Sequence, residues 1–192
     1  SSTDLEARLG GPEADDFIAA PLWAGAPAES SPFTRQSGQA LVADLTREQG
    51  NGLLTRLAAQ LVELAVILAG LPVRLAALEA GGDGPGEKAN GIGGGAAEAS
   101  LPDEVGLAQV QAARGLLVHR VAIQAGRVAD YRILAPTEWN FHPQGAAALG
   151  LATLPDADDE TLHRIGGLFV TALDPCVAYD LRIAPGLGAD HS

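Results

Sequence analysis

The stretch from Gly38 to Leu78 constrains this chain more than any other. Within it Leu53, Leu54, Leu57, Leu61, Leu64, Ala65 and Leu68 recur at steps of three and four. Such spacing is the apolar stripe of an amphipathic α-helix, because 3.6 residues per turn bring these positions to one face. Pro72 is expected to end or kink the helix, since proline lacks an amide donor and clashes with the preceding turn.

Around this helix the chain reads as mainly helical with one small β element. Residues 1–38 are rich in Pro, Gly, Ser and acidic side chains, and read as a largely irregular arm with short helical pieces; the first 20 are the most irregular. Residues 81–97 are Gly-rich and read as a flexible loop. Ser100 or Asp103 can cap a helix running to about Ala113. Two β-branched runs, 115–124 and 128–135, flank Ala125-Gly126-Arg127 and predict an antiparallel hairpin. Pro136 to Pro143 is expected to be an ordered loop, because Trp139 and Phe141 need burial. A short helix over 144–151 follows. A last helix begins near Asp156 to Asp159, where acidic residues favour the positive end of the helix dipole. Its apolar face is Leu162, Ile165, Leu168, Phe169 and Leu173. The expected fold class is therefore mainly α (α+β), a helical bundle with one antiparallel hairpin. At 192 residues it reads as one domain, able to bury a core without disulfide or metal staples.

Charge narrows the partners. Lys and Arg total 12 against 24 Asp and Glu, a net charge of -12. This argues against nucleic acid, which selects basic patches, and against an anionic membrane surface. The longest apolar stretch, Leu64 to Leu71, is short for a membrane span, so no membrane insertion is expected. No basic segment followed by an apolar run opens the chain. With one cysteine no internal disulfide can form, which fits a reducing compartment, and a cytoplasmic location is expected.

Cys176 is the residue with obvious metal or redox chemistry. It lies two residues past an apolar helix, after Asp174-Pro175. A buried, inert thiol is the ordinary alternative. A lone thiolate cannot build a four-coordinate cage, and Tyr179 stands where a C-x-x-C pair would place its second sulfur, so a structural zinc site is not expected. The histidines have bland readings: His119 on a strand, His142 bonded to the backbone, His163 on an exposed helix face, His191 near the chain end. No G-x-S-x-G or H-E-x-x-H is present. The Gly-rich loop carries Gly86-Glu87-Lys88 instead of a phosphate-cradling Gly-Lys-Ser/Thr. Arg114-Gly115 reads locally as a helix C-terminus, and Asp174-Pro175 as a helix-ending turn.

Taken in order, these segments resemble the large subunit of nickel–iron hydrogenases. That family carries Arg-Gly-x-Leu-x-His, a strand leading into Pro-Thr-x-Trp-Asn, and a terminal Asp-Pro-Cys-x-x-Cys. This chain has Arg114-Gly115-Leu116-Leu117-Val118-His119, then Tyr131 through Pro136-Thr137-Glu138-Trp139-Asn140, then Asp174-Pro175-Cys176-Val177-Ala178-Tyr179. Upstream, Glu29-Ser30-Ser31-Pro32-Phe33-Thr34-Arg35 is similar to the family's Glu-Thr-Gly-x-x-x-Arg segment. The departures are as informative. The family's N-terminal C-x-x-C pair is absent and Tyr179 replaces its last cysteine, so three of four thiolates are missing and no complete nickel–iron site can form. Ala113 and Gln144 replace a family Pro and Arg, and Asp180-Leu181-Arg182 replaces the His near the family's processing site.

A large-subunit look-alike stripped of ligands is similar to the HupK/HoxV hydrogenase maturation proteins. That resemblance implies a non-catalytic scaffold or chaperone that holds the Fe(CN)2CO fragment or delivers it to the large-subunit precursor. It implies Cys176 as the thiolate, with Arg114, Asp174 and His119 placed to contact the fragment's ligands or orient the thiol. Partners would be the precursor and other maturation proteins. The alternative is an interaction protein that binds no metal and mimics the large subunit towards those factors.

Overall fold

The computed structural model describes residues 2–79 and 104–184, so the Gly-rich loop of 81–97, His191 and the start of the expected 100–113 helix lie outside the described residues. The elements run α1 (Ser2–Gly10), α2 (Ala14–Ala19), β1 (Leu22–Trp23), β2 (Ala26–Pro27), α3 (Pro32–Gln36), α4 (Ala40–Gln49) and α5 (Leu53–Glu79). Then come β3 (Val105–Ala112), β4 (Gly115–Gln124), β5 (Arg127–Leu134), α6 (Pro136–Asn140), α7 (Ala146–Ala152) and α8 (Asp159–Ala172). The architecture is α+β, mainly helical, with small antiparallel sheets.

The hairpin expected from the sequence is present, but it belongs to a three-stranded sheet ordered β3-β4-β5. The β4–β5 turn is Ala125-Gly126, with φ of 50° and 74°, the doubly left-handed geometry that matches strand twist. Residues 105–112 are a strand, not the end of a helix. Leu107, Ala108, Gln109 and Ala112 favour helix locally, yet pairing with β4 from Val105↔Ala122 to Ala112↔Gly115 overrides that preference. Leu107 thereby reaches the core beside Val118 and Leu134.

The short helical pieces expected near the start are α1 and α2; they fill most of residues 2–19 and are docked on the body, which corrects the reading of that stretch as largely irregular. Leu5 and Leu9 are fully buried against the sheet and Trp139. Ion pairs reinforce the contact: Arg120 on β4 reaches Glu6, and Arg132 on β5 reaches Asp15. The stretch expected as a loop after β5 starts with a short helix, α6, with Pro136 at its first turn and the Glu138 carboxylate bonded back to the Ala135 amide at 2.8 Å. Trp139 is buried there, edge-on to Phe17 at 6.3 Å. A second cluster joins Ala147 of α7 to Phe169 and Leu173 at the end of α8.

α5 departs most from expectation. It continues through Pro72 to Glu79. Its N-terminal half packs on α3, α4 and α8 through Thr55, Arg56, Ala58, Ala59 and Glu63, a face of small and charged residues. The leucine stripe faces solvent instead; Leu54, Leu61, Leu64 and Leu68 are all more than half exposed. At 27 residues, α5 is also long and apolar enough to cross a bilayer by length and composition, which corrects the reading that no stretch here reaches that length.

Candidate functional site

Two arginines that the apolar pattern hides bind α5 to its neighbours. Arg56, 2 % exposed, lies between the rings of Phe33 and Phe169 and pairs with both carboxylate oxygens of Glu29. Arg35 at the end of α3 makes a two-pronged bond to Glu63 of α5, at 2.6 and 2.7 Å. The same guanidinium donates to the Ala113 carbonyl at 2.5 Å. Glu63 therefore holds Arg35, and Arg35 holds the β3–β4 turn.

That turn is only two residues, Ala113 and Arg114, closed by the Ala112↔Gly115 pair. Gly115 sits at φ +140°, and a Cβ there would fall 2.1 Å from the Ser30 carbonyl oxygen. No side chain fits. The next amide, Leu116 N–H, donates to Ser30 Oγ at 2.6 Å. Ser30 is fixed in turn by the Asn140 side chain, which accepts from its amide at 2.8 Å and donates to its carbonyl at 3.0 Å. The Glu29–Arg35 segment, the Arg114-Gly115 pair and Asn140 thus form one clamp around the hairpin tip. Arg114 is presented from a strand turn and not from the helix C-terminus expected locally.

Opposite Arg114, Leu173 caps the end of α8, and Asp174 turns out of the helix at φ 52°. A left-handed residue just past a C-cap is a common helix terminator, usually Gly or Asn, and the following Pro175 prevents continuation. Gln60 of α5 donates to the Ala172 carbonyl at 3.2 Å and anchors this corner. The turn aims the Asp174 carboxylate at Arg114, whose Nε donates to Oδ1 at 3.0 Å. It also places Cys176 in solvent, with Arg114 Nη1 3.9 Å from Sγ. The hydrogen bond that Arg114 donates to Asp174, and then the one to Cys176, raise the Arg114 pKa above its ordinary value and favour its charged form.

The structure therefore brings together Arg114, Asp174 and Cys176, separated by some 60 residues of sequence. It leaves His119 out. His119 is about 13 Å up β4 from Gly115, at 3.3 Å rise per residue, and its Nδ1 meets the Tyr131 hydroxyl at 2.6 Å with the rings stacked. His142 is buried and bonded to the backbone, its Nδ1 accepting from the Gln144 amide at 3.0 Å. His163 is exposed, as read. Tyr179, in place of a second thiolate, donates to the Gly167 carbonyl at 3.3 Å. Among the described residues no cluster of three or more His, Cys, Asp or Glu could enclose a metal ion. The arrangement offers one open sulfur, a fixed cation beside it and a carboxylate that aims the cation. That suits holding a group through one exchangeable bond, not building a closed cage.

Comparison with known proteins places the chain in a family. The model of the nickel-dependent hydrogenase family matches residues 16–156, and the chain belongs to that family. The match covers the hairpin clamp and ends before Asp174 and Cys176. Among curated proteins, the hydrogenase expression/formation protein HoxV of Cupriavidus necator is 38% identical over 177 residues, 90% of this chain and 42% of the relative. The hydrogenase expression/formation protein HupK of Rhizobium leguminosarum is 43% identical over 83 residues, 43% of this chain and 22% of the relative. The coenzyme F420 hydrogenase subunit alpha of Methanothermobacter thermautotrophicus is 29% identical over 75 residues, 39% of this chain and 16% of the relative. The chain thus spans less than half the length of the relatives it resembles.

Proposed function

We propose that this chain is a non-catalytic accessory factor in nickel–iron hydrogenase maturation. It holds the Fe(CN)2CO fragment, as cargo, on Cys176 and hands it on to the large-subunit precursor. The observation that carries this reading is the convergence of Arg114 and Asp174 on a single exposed thiol. A soft, π-accepting iron centre suits thiolate sulfur. The guanidinium offers donors in a fixed plane to a cyanide or carbonyl end, and Asp174 fixes that plane. One protein ligand makes the bond exchangeable, which a carrier needs. The names of the expression/formation relatives support the maturation role. An exposed free thiol suits the reducing, cytoplasmic setting in which such assembly would run.

The test is an infrared spectrum of the protein expressed with the maturation machinery. Cyanide and carbonyl stretches are expected in wild type and absent in Cys176→Ala, with hydrogenase activity lost in the Cys176→Ala strain. Full activity in that strain would exclude the carrier role. It would leave mimicry of the large subunit towards other maturation factors, a reading favoured by the family match lying wholly outside the thiol.

A further inference from the structure

The exposed leucines of α5 have a stricter order than an amphipathic stripe requires. From Leu54, leucine recurs at 57, 61 and 64 and so on to Leu78, in alternating steps of three and four without a break. This is a 3.5-residue repeat, the period of a two-helix seam and not of a helix merely lying on a core. Every leucine of the series is exposed, from 39% at Leu57 to 69% at Leu61. Thr55, Arg56, Ala59 and Glu63 occupy the opposite side of the helix and are buried in the body of the protein. Among the described residues none covers the seam, so a second helix can enter it without displacing any of them.

We infer that α5 pairs with α5 of a second copy of this chain as a parallel, in-register two-helix coiled coil. Three observations select this occupant. First, a seam made wholly of leucine is complementary to itself, as a two-fold interface requires. Second, these leucines leave on the order of 800 Å² of apolar surface open, above the largest patch usual on a monomer and equal to one side of a standard interface. Third, the charges flanking the seam match in one direction. In a parallel pair, a residue just before the seam's first position meets the partner residue five places on. Arg74 and Glu79 hold those positions, so each Arg74 faces the other copy's Glu79, twice by symmetry. An antiparallel pair would set like flank against like flank and lose both matches. Pro72 lies on the flank of the seam, and α5 runs through it unbroken.

The inference is independent of the iron-carrier reading, because the seam and Cys176 belong to different elements. Light scattering on the 192-residue chain without detergent should give twice the 19.5 kDa chain mass. Leu61→Lys with Leu68→Lys changes only exposed side chains. The pair should weaken self-association by on the order of a hundredfold or more, from two lost buried leucines, with circular dichroism unchanged. Arg74→Glu alone should weaken the dimer, and Arg74→Glu with Glu79→Arg should restore it. In a Cys176→Ser background, Leu75→Cys should oxidise to a cross-linked dimer, since that position faces its own counterpart only when the helices run parallel. A monomer, a dimer that Leu75→Cys does not cross-link, a larger oligomer, or a protein that sediments with lipid vesicles instead of dimerising would each overturn the inference.

Discussion

Two charged arrangements flank the hairpin tip and differ in one respect. Arg56 with Glu29 and Arg35 with Glu63 are sealed inside, every side chain 11 % exposed or less. Arg114 with Asp174 is open, at 46 % and 39 %. Each is an arginine paired with a carboxylate, but the energetics are opposite. A buried pair strongly destabilises the fold when one partner is lost, because the other is left charged without water. An exposed pair contributes little to stability, since solvent screens it. The inner pairs are therefore best read as framework. The outer pair contributes little to the fold, and under the proposed function its value is to orient Arg114 beside the thiol.

The largest effect is expected at the inner pairs. Arg56→Ala should cost about 3–5 kcal/mol by stranding Glu29, lowering the thermal midpoint by roughly 10 °C at about 2–4 °C per kcal/mol for a chain this size. A small shift in calorimetry would mean that water reaches Glu29 and that the inner pair is not sealed. Gly115→Ala tests the clamp between the two pairs. Its Cβ collides with the Ser30 carbonyl at φ +140°, and overpacking of this kind costs about 1–3 kcal/mol. Because the tip itself must move, the variant should also lose the infrared bands of the loaded protein.

A smaller effect is expected at Asp158, which caps α8. Its carboxylate accepts from the Thr161 amide at 2.8 Å and then from the Thr161 hydroxyl, which lowers its pKa from the ordinary carboxylate value. A lowered folded-state pKa adds stability that is present above the unfolded value and lost as pH falls through the folded one. Asp158→Ala should therefore be less stable than wild type at neutral pH and converge with it in acid. Denaturant titrations at two pH values would show a constant gap if the cap did not depend on charge. The smallest effect on stability belongs to Arg114→Ala, whose melting curve should overlay wild type while maturation fails. A clear loss of stability would erase the contrast between the two arrangements.

The site was partly legible in the sequence. Arg114 and the Asp174-to-Cys176 segment could be picked out because their order resembled a known pattern, and they meet in space. Their supports were harder to see. Arg35, Arg56 and Glu63 are charged residues on or beside an apolar helix, and periodicity counts such residues as the wet face. Here they form the dry one, because two-pronged ion pairs and stacking on Phe33 and Phe169 replace hydration. The leucine stripe misleads in the complementary way: its period announces an interface, but not whether the partner lies within the same chain. β3 is not legible locally, because its helix-favouring residues become a strand only through pairing with β4, a contact that local pattern does not encode. The docking of α1 is hard to read for its brevity, since Leu5 and Leu9 form an apolar stripe of only two residues.

Asp174 adopts a left-handed turn that Asn or Gly would occupy more comfortably. Asn would keep the shape and forfeit the anion facing Arg114; Gly would relax the backbone and forfeit the side chain. A selection for thermal robustness alone should drift towards either replacement, whereas a selection for hydrogenase output should hold the acid. The identity of this one residue can thus report whether a lineage of such proteins is still in service or has become a folded relic.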